Sequence, residues 1–212
     1  MYVPAHFSES RVEVLHALIR ERPLGILVTF GAEGLSANHL PFEIAPEPHP
    51  FGLLRCHVAR ANPVWRDFSA DHEALVIFTG PSTYVSPSWY PSKNESGEVV
   101  PTYNYLAAHA YGAMKVVHDA AWLRGLVTRL TERFETGREA PWRVSDAPAA
   151  FIEKQLGAIV GIEIPIRRLI GKWKASQNRP AQDREGAARA LGEAGDADSA
   201  AIARWIREKA PR

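Results

Sequence analysis

The chain has 212 residues, with 25 Lys and Arg against 24 Asp and Glu, a formal net charge of +1 and 46% hydrophobic residues. These are ordinary globular proportions and exclude a disordered or fibrous chain. At roughly 100–200 residues per domain the length suits one large or two small domains, with enough volume for a core that needs no staples. The total charge hides a division. Residues 167–212 carry 11 basic and six acidic side chains, net +5, and residues 1–166 carry 14 and 18, net −4. A localised basic surface is therefore compatible with the near-zero sum. The single cysteine, Cys56, permits no intrachain disulfide. The segment MYVPAHFSES has neither the basic start nor the apolar run of a signal peptide. No stretch approaches the ~18 apolar residues of a spanning helix, so a cytosolic protein is expected.

The first predicted element is a helix. Ser8 reads as its N-cap, Phe7 as a staple onto Val12, and Val12, Leu15 and Ile19 as one apolar face, with Pro23 as the stop. From residue 24 the period changes. Leu24–Phe30 and Leu35–Ile44 read as strands joined by the turn Gly31-Ala32-Glu33-Gly34. Phe51–Ala59 is a third strand, and Asn62-Pro63 starts a short helical piece. Glu73–Thr79 is a fourth strand, punctuated by Gly80-Pro81, and Thr83–Tyr90 continues extended. Val99–Val117 reads as one long strand with a bulge at Gly112. A helix follows from Asp119, with Trp122, Leu126, Leu130 and Phe134 four residues apart, then a helix over 147–156 and a last strand over 157–165. Pro180–Leu191 and Asp198–Lys209 read as helices.

Short, evenly spaced antiparallel strands with peripheral helices predict a mainly β fold, a small antiparallel barrel. GxGxxG, GxxxxGK[ST] and GxSxG are all absent, which removes the mechanical core of Rossmann, P-loop and α/β-hydrolase readings.

Three clusters carry chemistry. The first runs from Tyr84 to Lys93, followed by Val100–Tyr105. Strand alternation would send Ser86, Ser88 and Tyr90 one way and Trp89 the other. Hydroxyls beside aromatic rings suit a flat heterocycle with a phosphate, and equally an edge strand with half-buried aromatics. The second is Leu54–Pro63, where Arg60 and Asn62 stand at a strand-to-helix turn. Such a turn favours an anion, with Arg60 as a bidentate partner, or uses Asn62 simply as an N-cap. The third, Gly171–Arg179, mixes cations, an indole and amides. A phosphate-gripping loop, a nucleic-acid contact and a solvated segment all fit it. His39, His57 and His109 fall on predicted strands without metal-ligand spacing, and Cys56 has no CxxC partner. No metal site is expected. A haem-ligating His stays open as an alternative.

Six blocks in order then resemble the PaiB family of FMN-binding negative transcriptional regulators: MYVPAHF, ANHLPFEI, LRCHVARANPVW, FTGPSTYVSPSWYPSK, VPTYNY and GKWKASQNRPAQDREG. The resemblance implies a split β-barrel of the pyridoxamine-phosphate-oxidase-like type, a homodimer with FMN at the subunit interface. It would comprise a barrel domain over 1–166 and a basic helical extension over 167–212. In the wider superfamily a Ser-Arg-Lys-like turn grips the FMN phosphate. Here the matching stretch is Ala59-Arg60-Ala61-Asn62, which keeps the Arg alone, so Lys93, Ser88 or Lys174 would substitute. On this reading Arg60 and Lys93 meet the phosphate, and Ser88, Trp89 and Tyr90 line the isoalloxazine or ribityl chain. His39, His57, Asn62 and Asn104 add polar contacts, and Lys174 and Gln177 reach in from the tail. The family label implies repression of transcription, with the basic tail as the one candidate DNA surface. The alternatives on the same barrel are an FMN-dependent oxidoreductase or flavin reductase, and a haem-binding protein with His57 or His109 on the iron.

Overall fold

The structure is a computed structural model and describes residues 1–208. Lys209, the expected end of the last helix, lies outside the described residues. The elements in chain order are β1 (Ser8–Glu9), α1 (Val12–Glu21), β2 (Leu24–Gly31), β3 (Gly34–Pro41), β4 (Glu43–Ala45), β5 (Leu53–Ala59), β6 (Ala74–Val85), β7 (Thr102–Gly112), β8 (Lys115–Val117), α2 (Ala120–Glu135), α3 (Ala149–Gly157), β9 (Ile159–Pro165), β10 (Arg168–Lys174), α4 (Ala181–Glu193) and α5 (Ala197–Glu208). They divide into two compact units. One comprises Met1–Leu18, Thr79–His109 and the chain from Ile170 on; the other comprises Ile19–Phe78 and Ala110–Leu169.

In the second unit β2 and β3 form the expected hairpin, in register from Leu24 opposite Pro41 to Gly31 opposite Gly34. Gly34 takes φ +94°, the left-handed region that its turn requires. The start of β6 pairs with the other edge of β2, Ile26 opposite Ile77. A separate antiparallel sheet has the order β4-β5-β9-β8. Its spine is β5 against β9, paired over seven residues from Leu53 opposite Pro165 to Ala59 opposite Ile159. Leu54, Cys56, Val58, Val160, Ile162 and Ile164 form its buried face.

Several boundaries differ from expectation. Leu35–Ile44 is two strands, because Phe42 is fully buried and its N–H donates to the Pro23 carbonyl (2.8 Å), which frees β4 to join the other sheet. The stretch 99–117 likewise splits into β7 and β8. Gly80-Pro81 does not interrupt β6. Glycine suits position 80 because a Cβ there would stand 2.9 Å from the Leu106 Cβ and 3.2 Å from its carbonyl oxygen. Ser8 is not a helix cap; it lies in β1, and the Glu9 carboxylate accepts the Arg11 N–H (3.0 Å) at the start of α1.

In the first unit the strand order is β1-β10-β7-β6. β10 is an additional strand, with Ser8 opposite Lys172. Helix α4 packs against α5 and against two 3₁₀ turns, Pro87–Trp89 and Pro91–Asn94. Among the described residues no helix is long and apolar enough to cross a membrane.

Helix α2 is seated by one indole. The helix begins after Asp119 as expected; Asp119 is its cap, accepting from the Trp122 N–H (2.6 Å), and the Trp122 ring lies on Gly161 of β9, where a Cβ would come within 2.3 Å of the ring. Gly161→Ala should therefore displace Trp122 and cost about 1–3 kcal/mol, the usual penalty of overpacking. Thermal unfolding that matches wild type would contradict this seating.

Candidate functional site

The predicted site residues fall into two groups, one in each unit. In the second unit His39 is exposed on β3 opposite Ile26. Asn62 caps the 3₁₀ turn Pro63–Trp65 by accepting from the Val64 N–H (2.9 Å), and its amide donates to Asn38 Oδ1 (2.8 Å). Arg60 is engaged with main chain: Nε donates to the Gly157 carbonyl (2.7 Å) and Nη2 to the Ile159 carbonyl (2.9 Å). It thus pins the end of β5 to the α3–β9 junction. His57 lines a cavity of about 390 Å³ with Val127, Thr131, Trp142, Phe151 and Gln155. Burial pushes its imidazole pKa down, which keeps the ring neutral.

The same face of β5 carries an ion network that sequence inspection did not single out. Arg129 of α2 donates twice to the Glu43 carboxylate (2.6 and 2.9 Å), and Arg55 Nη1 stands 3.6 Å from Glu43. Arg55 Nε and Trp122 Nε1 both donate to Glu163 Oε1, each at 3.1 Å.

In the first unit the block Ser86–Lys93 is not a strand, so its expected alternation does not apply. Ser86 is an N-cap that accepts from the Ser88 N–H (3.2 Å), which curls Pro87–Trp89 into a 3₁₀ turn. Lys93 Nζ donates to Ser88 Oγ (3.2 Å) at the surface. Trp89 packs with its carbonyl against Gly186 of α4, where a Cβ would lie 2.2 Å from that oxygen. Ser92 donates its N–H (3.1 Å) and Oγ (2.7 Å) to the buried Asp183. Tyr90 is buried, with the Arg179 guanidinium 5.1 Å from its ring centroid.

The segment after β10 is closely knitted. Asn104 is wholly buried and donates to Ser176 Oγ (2.8 Å). Ser176 sits at φ +59°, a left-handed conformation that costs a non-glycine residue free energy and is held here by its surroundings. Gln177 closes the loop, accepting from the Ala175 N–H (2.7 Å) and donating to the Trp173 carbonyl. Trp173 is buried and meets Trp205 edge-on at 6.0 Å. Strand alternation leaves Lys172 and Lys174 on the other face. Lys174 Nζ donates to Thr102 Oγ1, and Lys172 Nζ lies over Tyr105 (5.3 Å). The Lys174 pKa is pushed down, first by burial and then by the charges of Lys172 and Arg179. None of these three cations has an ion-pair partner among the described residues. Elsewhere in the tail Arg207 pairs with Glu185 (3.6 Å). Among the described residues no three His, Cys, Asp or Glu side chains cluster as metal ligands would.

Residues 1–168 match the family model described as "Putative FMN-binding domain". The chain belongs to this FMN-binding family. Among curated relatives it is 35% identical to an uncharacterised protein of Emericella nidulans, over 99% of this chain and 97% of the relative. It is 32% identical to the "Protease synthase and sporulation protein PAI 2" of Bacillus subtilis, over 86% of this chain and 85% of the relative. The PaiB resemblance thus holds. Solved structures with the same fold include the FAD and haem binding protein of Mycobacterium smegmatis, with 22% identity, TM-score 0.55 and coverage of 78% and 71% of the two chains. The flavocytochrome Anf3 of Azotobacter vinelandii has 13% identity, TM-score 0.60 and coverage of 81% and 72%. The expected fold class, mainly β with peripheral helices and an open, split-barrel sheet arrangement, is that of these proteins. FMN is the cofactor by which the family is described, and the family match ends before the Lys172–Arg179 segment.

The ion network makes a prediction. Burial raises the Glu43 pKa, but hydrogen bonds and charge from Arg129, with Arg55, outweigh it and set the net value below the ordinary glutamate range. A carboxyl depressed on folding stabilises the fold above its unfolded pKa and loses that contribution as pH falls through the lower, folded value. Glu43→Gln should cost about 1–2 kcal/mol at neutral pH, reduced from the buried case because Arg129 is half exposed. The gap to wild type in urea unfolding should close below the glutamate range. A gap independent of pH would refute the assignment.

Proposed function

We propose that the chain is a dimeric FMN-holding regulator, with the cofactor's phosphate met by Lys174, Arg179 and Lys172. The observation that carries this reading is the convergence of three cations that form no ion pair among the described residues. A Lys held down by burial and then by its neighbours' charge is stabilised as the ammonium when an anion arrives. The donor set fits FMN: cations and the Thr102 hydroxyl suit the phosphate, and the rings of Tyr90 and Tyr105 already carry cations on their faces. Bound FMN would supply electron or hydride transfer, and the protein would supply binding and orientation. The chain's own part is to hold the Lys174 ammonium on Thr102 and to brace the loop through Asn104, Ser176 and Gln177. In this reading Arg60 acts on the fold, not on the phosphate. Lys93, Ser88, Trp89, Asn62 and His39 remain the further contacts to test.

Two features support a second copy. β3 is an edge strand of eight residues, and Leu35 on it is 77% exposed. Long exposed edges with apolar side chains are otherwise aggregation liabilities. The regulatory half of the proposal rests on the PaiB resemblance of the sequence blocks, which the Bacillus relative shares over 86% of this chain.

The test is quenching of FMN fluorescence on titration with protein. Lys174→Met should weaken binding by about 1.5–3 kcal/mol, roughly tenfold to 150-fold, as for a lost charge-assisted hydrogen bond. Arg60→Ala should lower thermal stability and change FMN affinity little. Equal FMN affinity for wild type and Lys174→Met would move the phosphate elsewhere. Native mass spectrometry should give a dimer carrying FMN. Oxidation of NAD(P)H by the loaded protein would favour the oxidoreductase reading over the regulator.

A further inference from the structure

A cavity in the second unit has walls unlike those of a flavin phosphate site. It lies over the outer face of β5, beneath α2 and α3, and has a volume of about 390 Å³. That is within the range of small-molecule sites. Its walls are mostly apolar, and no charged side chain lines it. Its three side chains with hydrogen-bonding groups outside the indole are the His57 imidazole, the Thr131 hydroxyl and the Gln155 carboxamide. A second hollow adjoins it and shares His57, Val127, Thr131 and Trp142.

Two observations say that this space is built for an occupant. His57 Nδ1 is buried with no hydrogen-bond partner, while Nε2 is not sealed off in the same way. Nε2 is therefore the ring nitrogen that a ligand in this space reaches, and a hydrogen bond there gives the imidazole the partner it lacks. The rim is also aromatic and open: Trp142 is 44% exposed and Phe151 is 51% exposed. Exposed aromatic side chains gathered around one concavity mark a binding surface more than a free one.

The lining selects the ligand. With no cation present, a phosphate, a carboxylate or the two propionates of haem would lose their solvation without compensation. A neutral flat molecule would slide between Trp142 and Phe151, bury its ring against Ile152, and present one polar group to the imidazole. Burial keeps the ring uncharged, so it offers a donor at one nitrogen and an acceptor at the other. We propose that this cavity binds a small neutral aromatic molecule bearing one hydroxyl or N–H group, with His57 as the polar anchor. The site shares no residue with the cations proposed for FMN and does not depend on that reading.

The test titrates the full chain with 2-naphthol and with indole by calorimetry, while FMN binding is followed separately by fluorescence. Saturable one-to-one binding of at least 2-naphthol is expected. His57→Phe keeps the ring and removes the hydrogen bond, and should weaken 2-naphthol by roughly threefold to tenfold. Val127→Trp should fill the cavity and abolish binding, with circular dichroism confirming that the variant folds. If it does not fold, Ile152→Phe takes its place. FMN affinity should be unchanged throughout. The proposal is overturned if neither probe binds at millimolar concentration, or if both bind equally to wild type and to His57→Phe. It is also overturned if haemin gives a Soret shift that His57→Phe removes. A dimer that dissociates in Trp142→Ser while 2-naphthol affinity stays constant would make this face a protein interface and overturn it too.

Discussion

The pairing of β5 with β9 is the constraint on which the second unit depends. Its register sets His57 opposite Gly161 and Arg55 opposite Glu163. With no side chain at 161, the Trp122 indole lies directly on the sheet, and its N–H reaches Glu163. Helix α2 is thereby fixed at one end by an aromatic contact and further along by Arg129 on Glu43. Held at these two places, α2 and α3 bury Leu123, Ile152 and Leu156 between them. The space beside His57 is what that arrangement leaves open. A one-residue slip in β5–β9 would exchange the faces of every side chain in the pair and erase both the ion network and the cavity.

The first unit rests on a different device. β10 alternates a buried Trp173 with the outward Lys172 and Lys174, and the chain then leaves the sheet through a left-handed Ser176. A serine in that conformation is held by three contacts: Asn104 bonds its hydroxyl, and Gln177 bonds the main chain at Trp173 and Ala175. The same turn sets Arg179 over Tyr90. Structural groups and cationic groups therefore alternate along one short stretch. The polar side chains Ser176 and Gln177 are spent on shape, while the ammonium groups of Lys172 and Lys174 donate to the Tyr2 carbonyl and the Thr102 hydroxyl.

Local physics was legible in the sequence where one signal dominated. The hairpin at Gly31–Gly34, the helix start at Asp119 and the Asn62 cap all arise from residues within three positions of one another, and the residue types alone specify them. The features that were not legible depend on partners distant in the chain. Arg60 stands at a turn that favours anions, yet carbonyls at 157 and 159 reach it first. Ser88 and Tyr90 look like one face of a strand until the two prolines, Pro87 and Pro91, fold the segment into 3₁₀ turns that α4 supports. β10 is obscured because Lys, Trp and Lys read equally well as a solvated basic tail. Of the cavity only His57 was flagged, since Trp142 comes from a segment between helices that has no periodicity to mark it.

The charge division of the sequence takes on a specific meaning in the fold. A net +5 over the last 46 residues suggests a diffuse electrostatic surface, and diffuse charge attracts any polyanion, strongly at low salt and weakly at high. The structure distributes it otherwise. Arg207 is paired with Glu185, and Arg184 donates to the Arg179 carbonyl. What remains concentrated is Lys172, Lys174 and Arg179, close enough that two of them depress the third. On the proposed reading, charges held in mutual repulsion beside a hydroxyl and two phenol rings gain from a compact anion that all three can face. On that reading the basic tail serves a phosphate monoester, and a nucleic acid is the competing partner for the same three cations.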